Sequence, residues 1–159
     1  MQAFENYGQQ EFTMSSDKFD LVRFLDAQES SYATALSELR SGRKRSHWIW
    51  YIFPQLRGLG LSANAETFGL AGLAEARAYL VNPVLGPRLI EAMEVILAHS
   101  SLDAASILGE LDALKFRSCL TLFSLANPAE PIFRKALERF FSGELDARTL
   151  ELLKARGNE

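Results

Sequence analysis

Ser46-His47-Trp48-Ile49-Trp50-Tyr51-Ile52-Phe53-Pro54-Gln55-Leu56-Arg57-Gly58-Leu59-Gly60-Leu61-Ser62 is the stretch on which the reading of this chain turns. It holds both tryptophans and one of the two histidines. Trp48, Trp50, Tyr51 and Phe53 carry a large apolar payload, and their indole and phenol tips need polar partners when buried. Trp, Ile, Tyr and Phe favour strands by propensity. A lone strand is not stable, however, and no second run in the chain offers it a pairing partner. Residues 46–53 are therefore predicted to form a short buried helix, stopped at Pro54. Residues 54–65 follow as the longest irregular connection, with Gly58 and Gly60 inside it. The rings fill a core, or they wall a pocket beside a glycine-bearing loop. Buried aromatics are common and pockets few, which favours the core.

Working outward, helical periods dominate. Before the central stretch, Phe19, Leu21, Val22 and Leu25 make a short apolar face with Asp17 as a cap. Tyr32, Ala35, Leu36 and Leu39 fall on one helical stripe, which Gly42 ends. After it, Leu73–Leu80 is a good helix former, and Pro83 suits the first turn of a helix carrying Leu85, Leu89, Met93 and Ile96. His99 closes that helix, and Asp103 caps a short one ended by Gly109. From Glu110 to Ala126 the apolar side chains spread round the whole circumference, the pattern of a buried central helix. Pro131 opens a helix with a wide apolar face, closed at Gly143, and Asp146 caps a last helix that frays at Gly157. The sum is an all-α, compact bundle of about seven to eight helices. It is expected to occupy residues 17–157 as one domain behind a loosely held tail, residues 1–16.

The 159 residues are 48% hydrophobic and 23% charged, ordinary globular values that suit one domain with a real core. A net charge of −3 shows no global bias toward nucleic acid or membrane. No apolar run is long enough to span a bilayer, and residues 1–13 lack a secretory pattern, so a cytoplasmic protein is expected. One cysteine, Cys119, rules out an internal disulfide. Walker, dinucleotide, zinc and serine-elbow patterns are missing, so no cofactor or metal is implied. His99 has neither carboxylate nor cysteine at ligand spacing.

Three groups of polar residues carry what chemistry there is. Arg40, Arg43, Lys44 and Arg45 cluster at a helix C-terminus, where cations offset the macrodipole or would hold an anion. Asp112 and Lys115 lie one turn apart on the central helix, as a surface salt bridge or as a pocket wall. Ser118 and Thr121 continue that line, and their simplest use is bonding back to the preceding turn. Cys119 on the same helix reads as a buried, inert thiol.

The central stretch through Gln55, with Gly58-Leu59-Gly60 and Ser62, resembles the signature of the family catalogued as domain of unknown function 1810. Gly42-Arg43-Lys44-Arg45, Glu75-Ala76-Arg77-Ala78-Tyr79-Leu80, Pro83-Val84-Leu85-Gly86, Asp112 with Lys115, and Thr121-Leu122-Phe123 extend the likeness over about residues 17–153. Where the family commonly has a serine, this chain has Cys119. The resemblance implies a compact, mainly helical domain with armadillo-like packing, and no established reaction. Some members carry the label calpastatin, which suits a disordered inhibitor; the composition here is that of a packed domain.

The first functional reading is a domain that binds an unidentified small molecule, as binder or as enzyme. Its pocket would be lined by His47, Trp48, Trp50, Gln55, Asp112 and Lys115. Rings would stack on a planar group, Gln55 and Asp112 would read polar edges, Lys115 or Arg45 would hold an anion, and His47 would move a proton. A nucleotide-like ligand would use all of these. The alternative is a helical protein-interaction or scaffolding module with an exposed apolar patch. RNA binding through Arg43-Lys44-Arg45 is the weakest reading, because the charge blocks are too short for a nucleic-acid arm. The sequence leaves the oligomeric state open.

Overall fold

Leu111 and Leu114 turn outward while every apolar residue from Phe116 to Phe123 is buried, and the fold is organised by the helix that carries them all. The structure is a computed structural model and describes residues 18–157. The expected tail, residues 1–16, and the Asp17 cap lie outside the described residues. Among the described residues the regular elements are all helices, with one isolated parallel bridge between Leu56 and Leu70. In chain order the helices are α1 (Val22–Glu29), α2 (Tyr32–Ser41), α3 (Ile49–Ile52), α4 (Ala63–Phe68) and α5 (Leu73–Val81). Then come α6 (Leu85–Leu97), α7 (Ala104–Leu108), α8 (Glu110–Ala126), α9 (Ile132–Phe141) and α10 (Ala147–Ala155). Among the described residues no helix is long and apolar enough to cross a membrane.

The ten helices among the described residues exceed the seven to eight expected, and the short elements α3 and α7 stand where short helices were expected. The unexpected one is α4, which emerges inside the predicted loop where the Ser62 hydroxyl accepts from the Ala65 N–H at 3.1 Å. Other signals land where expected. Gly42 closes α2 at φ 78°, and the Asp103 and Asp146 carboxylates cap α7 and α10. Asn82 adds a cap the sequence reading passed over, accepting from the Val84 and Leu85 N–H groups at 3.0 Å. On α1, Leu21 and Phe24 face inward and Val22 faces solvent.

α8 packs on α5, α7 and α9, and also touches α10 and α3. Successive pairs such as α5 with α6 and α8 with α9 lie side by side. Two files of rings meet on α8. One runs Trp48, Phe53, Phe116 and Phe140, with centroids 5.9, 4.8 and 5.9 Å apart. The other runs Phe24, Tyr79, Phe123 and Phe133, at 5.1, 5.5 and 5.5 Å. Burying one such ring stabilises the fold by about 1.5–3 kcal/mol. The α5–α6 corner is tight: a Cβ on Gly86 would stand 2.0 Å from the Leu80 carbonyl oxygen, so no larger residue fits there.

Polar stitching is done largely by guanidinium groups bonded to peptide carbonyls. Arg139 donates to the His99 and Leu102 carbonyls at 2.8 and 2.7 Å. Arg117 donates to those of Glu144 and Leu145 at 2.9 and 3.1 Å. Arg77 reaches Ala126, and Arg156 reaches Arg57 at 2.6 Å. Arg23 bonds the Thr67 and Gly69 carbonyls and pairs with Glu75 at 2.9 Å. His99, expected to close α6, stands just beyond it and donates from Nε2 to the Leu39 carbonyl at 2.6 Å.

Candidate functional site

The loop after α3 builds one wall of a cleft. Its start is pinned by the Leu70 N–H donating to the Gln55 carbonyl at 2.9 Å and the Arg57 N–H donating to the Leu70 carbonyl at 2.8 Å. Gly60 lies hard against α4: a Cβ there would sit 2.7 Å from the Ala65 Cβ and 3.7 Å from the Gln55 side-chain nitrogen. Arg156 of the C-terminal segment ties the loop down through the Arg57 carbonyl at 2.6 Å, and Arg148 only approaches the Leu59 carbonyl, at 3.4 Å. The cleft encloses about 420 Å³. Gln55, Leu59 and Gly60 face Leu111, Leu114, Lys115 and Ser118 of α8, and Asp146 and Arg148 close the end.

Within the cleft the polar groups are unequal. Ser118 donates to the Leu114 carbonyl at 3.2 Å, and the Asp146 carboxylate accepts from the Thr149 N–H and hydroxyl at 2.9 and 2.6 Å. Both are engaged locally. Gln55 is only 7% exposed, and among the described residues its side-chain amide makes no hydrogen bond. Lys115 lies 3.3 Å from one Asp112 oxygen, and Lys44 lies 2.7 Å from the other. Two ammonium groups thus share one carboxylate.

Behind Lys44 the chain of contacts continues. Its side chain is 7% exposed, and its Nζ stands 5.1 Å from the centroid of the Trp48 ring. The Trp48 indole N–H donates to Glu38 at 2.8 Å. Glu38 also accepts from the Arg45 and Ser46 N–H groups at 2.8 and 2.9 Å and from the Ser46 hydroxyl at 2.5 Å. Burial pushes the Glu38 carboxyl up, but these hydrogen bonds, led by that of the Ser46 hydroxyl, outweigh it and hold the pKa at about 2. Cys119 is fully buried, and burial pushes its thiol up, as an inert core cysteine requires.

The seven residues expected to share a site are thus distributed. Gln55 and Lys115 line one cleft, with Asp112 directly behind Lys115. Trp48 is core and reaches Asp112 only through Lys44. Trp50 is half-buried, with a buried indole N–H that has no partner among the described residues. His47 is exposed, its carbonyl accepting from the Tyr51 hydroxyl at 3.3 Å. Arg45 borders a separate depression of about 490 Å³ on α2, beside Ser37, Ser41 and Glu38. His47, Trp50 and Arg45 do not line the cleft.

The cleft also uses residues the sequence reading passed over. Lys44 hides within a cation block and shows its partner only in three dimensions. Arg148 carried one signal: it stands in the first turn of α10, where a cation opposes the helix macrodipole. Among the described residues no group of three or more His, Cys, Asp or Glu side chains could hold a metal ion.

Comparison with other proteins places this geometry in a family. The fold is similar to the crystal structure of the conserved hypothetical protein Rv1873 from Mycobacterium tuberculosis, at 44% identity and a TM-score of 0.85. That match covers 87% of this chain and 99% of the other. Among curated proteins no match is found. The model of the family described as protein of unknown function, DUF1810, matches residues 18–153, and the chain belongs to that family.

Proposed function

We propose that the protein binds a small polar molecule in the cleft between the Gly58–Gly60 loop and α8. The observation that carries the reading is the Gln55 amide. The residue is 7% exposed, and among the described residues no protein group bonds its amide, so the donor and acceptor stay available to a bound molecule. The amide is turned to a cleft of about 420 Å³, within the usual range for small-ligand sites. An amide presents a donor and an acceptor together, which suits a ligand with both on one edge. Both Asp112 oxygens are engaged by ammonium groups, and the Asp112–Lys115 pair enters this reading as a charged wall that binds.

The test is a thermal-shift screen of nucleotides, ADP-ribose-type metabolites and organic acids against the wild-type chain and Gln55→Leu. A ligand at a hundredfold its dissociation constant adds about 2.7 kcal/mol of stability. The expected result is a stabilising compound whose effect Gln55→Leu abolishes. A flat panel, or a hit untouched by the substitution, overturns the reading. A second reading, a protein-interaction module, is favoured by the exposure of Leu111 and Leu114 at 74% and 60% on the cleft rim. It predicts that replacing those leucines, and not Gln55, removes binding of a partner.

A further inference from the structure

We propose that the molecule taken by this cleft is an amphiphilic anion, a carboxylate or phosphate carried on an apolar or aromatic body, and that Lys115 and Arg148 hold its charged end. The inference rests on the cleft being a ligand site and adds the chemical class of the ligand. Lys44 and Lys115 share the single carboxylate of Asp112. Lys44 is the more deeply buried of the two and makes the shorter contact, 2.7 Å against 3.3 Å. The Asp112 charge is therefore matched from behind, and one positive charge is left on the cleft side. Lys115 is 26% exposed, and its ammonium carries three donors. Only the long contact to Asp112 engages them among the described residues.

Arg148 adds to the same field. Its one hydrogen bond among the described residues is a 3.4 Å contact to the Leu59 carbonyl, at the limit of such a bond. Its place in the first turn of α10 opposes the macrodipole, so helix stability does not account for a cation there. The remaining charged group, Asp146, is committed to the cap of α10. Asp146 keeps its negative charge in that cap, so Lys44, Lys115 and Arg148 stand against Asp112 and Asp146, and the cleft carries one net positive charge, with Lys115 and Arg148 on its open side. Its other surface is apolar: Leu59, Leu111 and Leu114 line it, and the last two are left exposed by the fold. An anion alone would leave those leucines in water, and an apolar molecule alone would leave the cations and the Gln55 amide unused.

The experiment is an amide NMR titration of the full chain with phenyl phosphate, benzoate, inorganic phosphate and neutral benzyl alcohol. Perturbation is read at the Gln55 side-chain amide, Gly60, Leu114 and Lys115. Phenyl phosphate or benzoate is expected to perturb these signals at least tenfold more tightly than benzyl alcohol, and the preferred one of the two identifies the anionic group. Added salt weakens that binding. Lys115→Met and Arg148→Gln are each expected to lose at least tenfold in anion affinity while leaving benzyl alcohol within twofold. The variants' amide spectra verify the fold, and Lys115→Gln stands in if the methionine variant is misfolded. Equal binding of benzyl alcohol, or unchanged anion affinity in both variants, overturns the charge assignment and leaves the cleft reading intact. Inorganic phosphate binding as tightly as phenyl phosphate removes the apolar part of the ligand. If none of the four probes moves the cleft signals, the cleft reading and this inference fall together.

Discussion

The two halves of α8 are built from similar residues and live in different surroundings. From Phe116 to Ala126 the helix is enclosed, with Phe116, Cys119, Leu120, Leu122 and Phe123 all buried. From Glu110 to Lys115 it carries two leucines in solvent and an ion pair that reaches across to the loop before α3. Exposed single leucines are ordinary. Two of them one turn apart, on the rim of a cleft that also holds an amide unpaired among the described residues, form a surface the fold itself does not require. The buried half sets the architecture, and the open half is the part left free to take on a role.

The sharpest way to break this contrast is to cut into the enclosed half. Phe123→Ala removes a ring packed on Tyr79 and stacked on Phe133. It should cost about 3–5 kcal/mol in urea unfolding, and a loss below ~1 kcal/mol would mean that this half is not a packed core.

A middle-sized effect tests the anchor of the open half. Glu38 has a folded pKa of about 2 against 4.5 for an ordinary glutamate. A depressed carboxylate stabilises fully above its unfolded value, so its contribution is complete above pH 4.5 and drains away as the pH falls toward 2. Comparing wild type with Glu38→Gln across that window should show a gap of about 1–2 kcal/mol at neutral pH, less than the full shift implies because solvent reaches the carboxylate. The gap closes in acid. A gap that stays constant with pH would deny Glu38 its ionic role at the Trp48 anchor.

The smallest effect belongs to the rim. Leu111→Gln with Leu114→Gln keeps helix propensity nearly level and should leave stability within about 0.5 kcal/mol. Calorimetry that found a loss of several kcal/mol would show these leucines to be core residues, and the two halves would then be one.

Much of this was legible in the chain. The bounds of α8, the caps Asp103 and Asp146, and the stop at Gly42 follow from local rules, because each depends on a few neighbouring residues. The burial of Trp48 and Phe53 followed from their size. What stayed hidden depends on distance. On a helical wheel Leu111 and Leu122 fall on nearly the same side, and only the packing of other helices decides which is covered. Lys44 reads as one of four cations until Asp112 is brought to it. α4 escaped because six residues with only Ala65 buried show no apolar period. For the cleft, Gln55 and Lys115 could be picked as polar residues within informative segments, whereas Arg148 enters only through the return of the last helix.

The guanidinium clamps on loop carbonyls have one more consequence. An arginine keeps its proton at any pH a cell experiences, and a peptide carbonyl has none to lose. The bonds from Arg139 to His99 and Leu102, and from Arg156 to Arg57, are therefore indifferent to alkali. Lysine in their place would supply a single point of charge where one nitrogen of Arg139 now spans two carbonyls, and would surrender even that in strong base. These clamps hold in basic media, and it is the carboxylate bonds, those of Glu38 among them, that acid can undo.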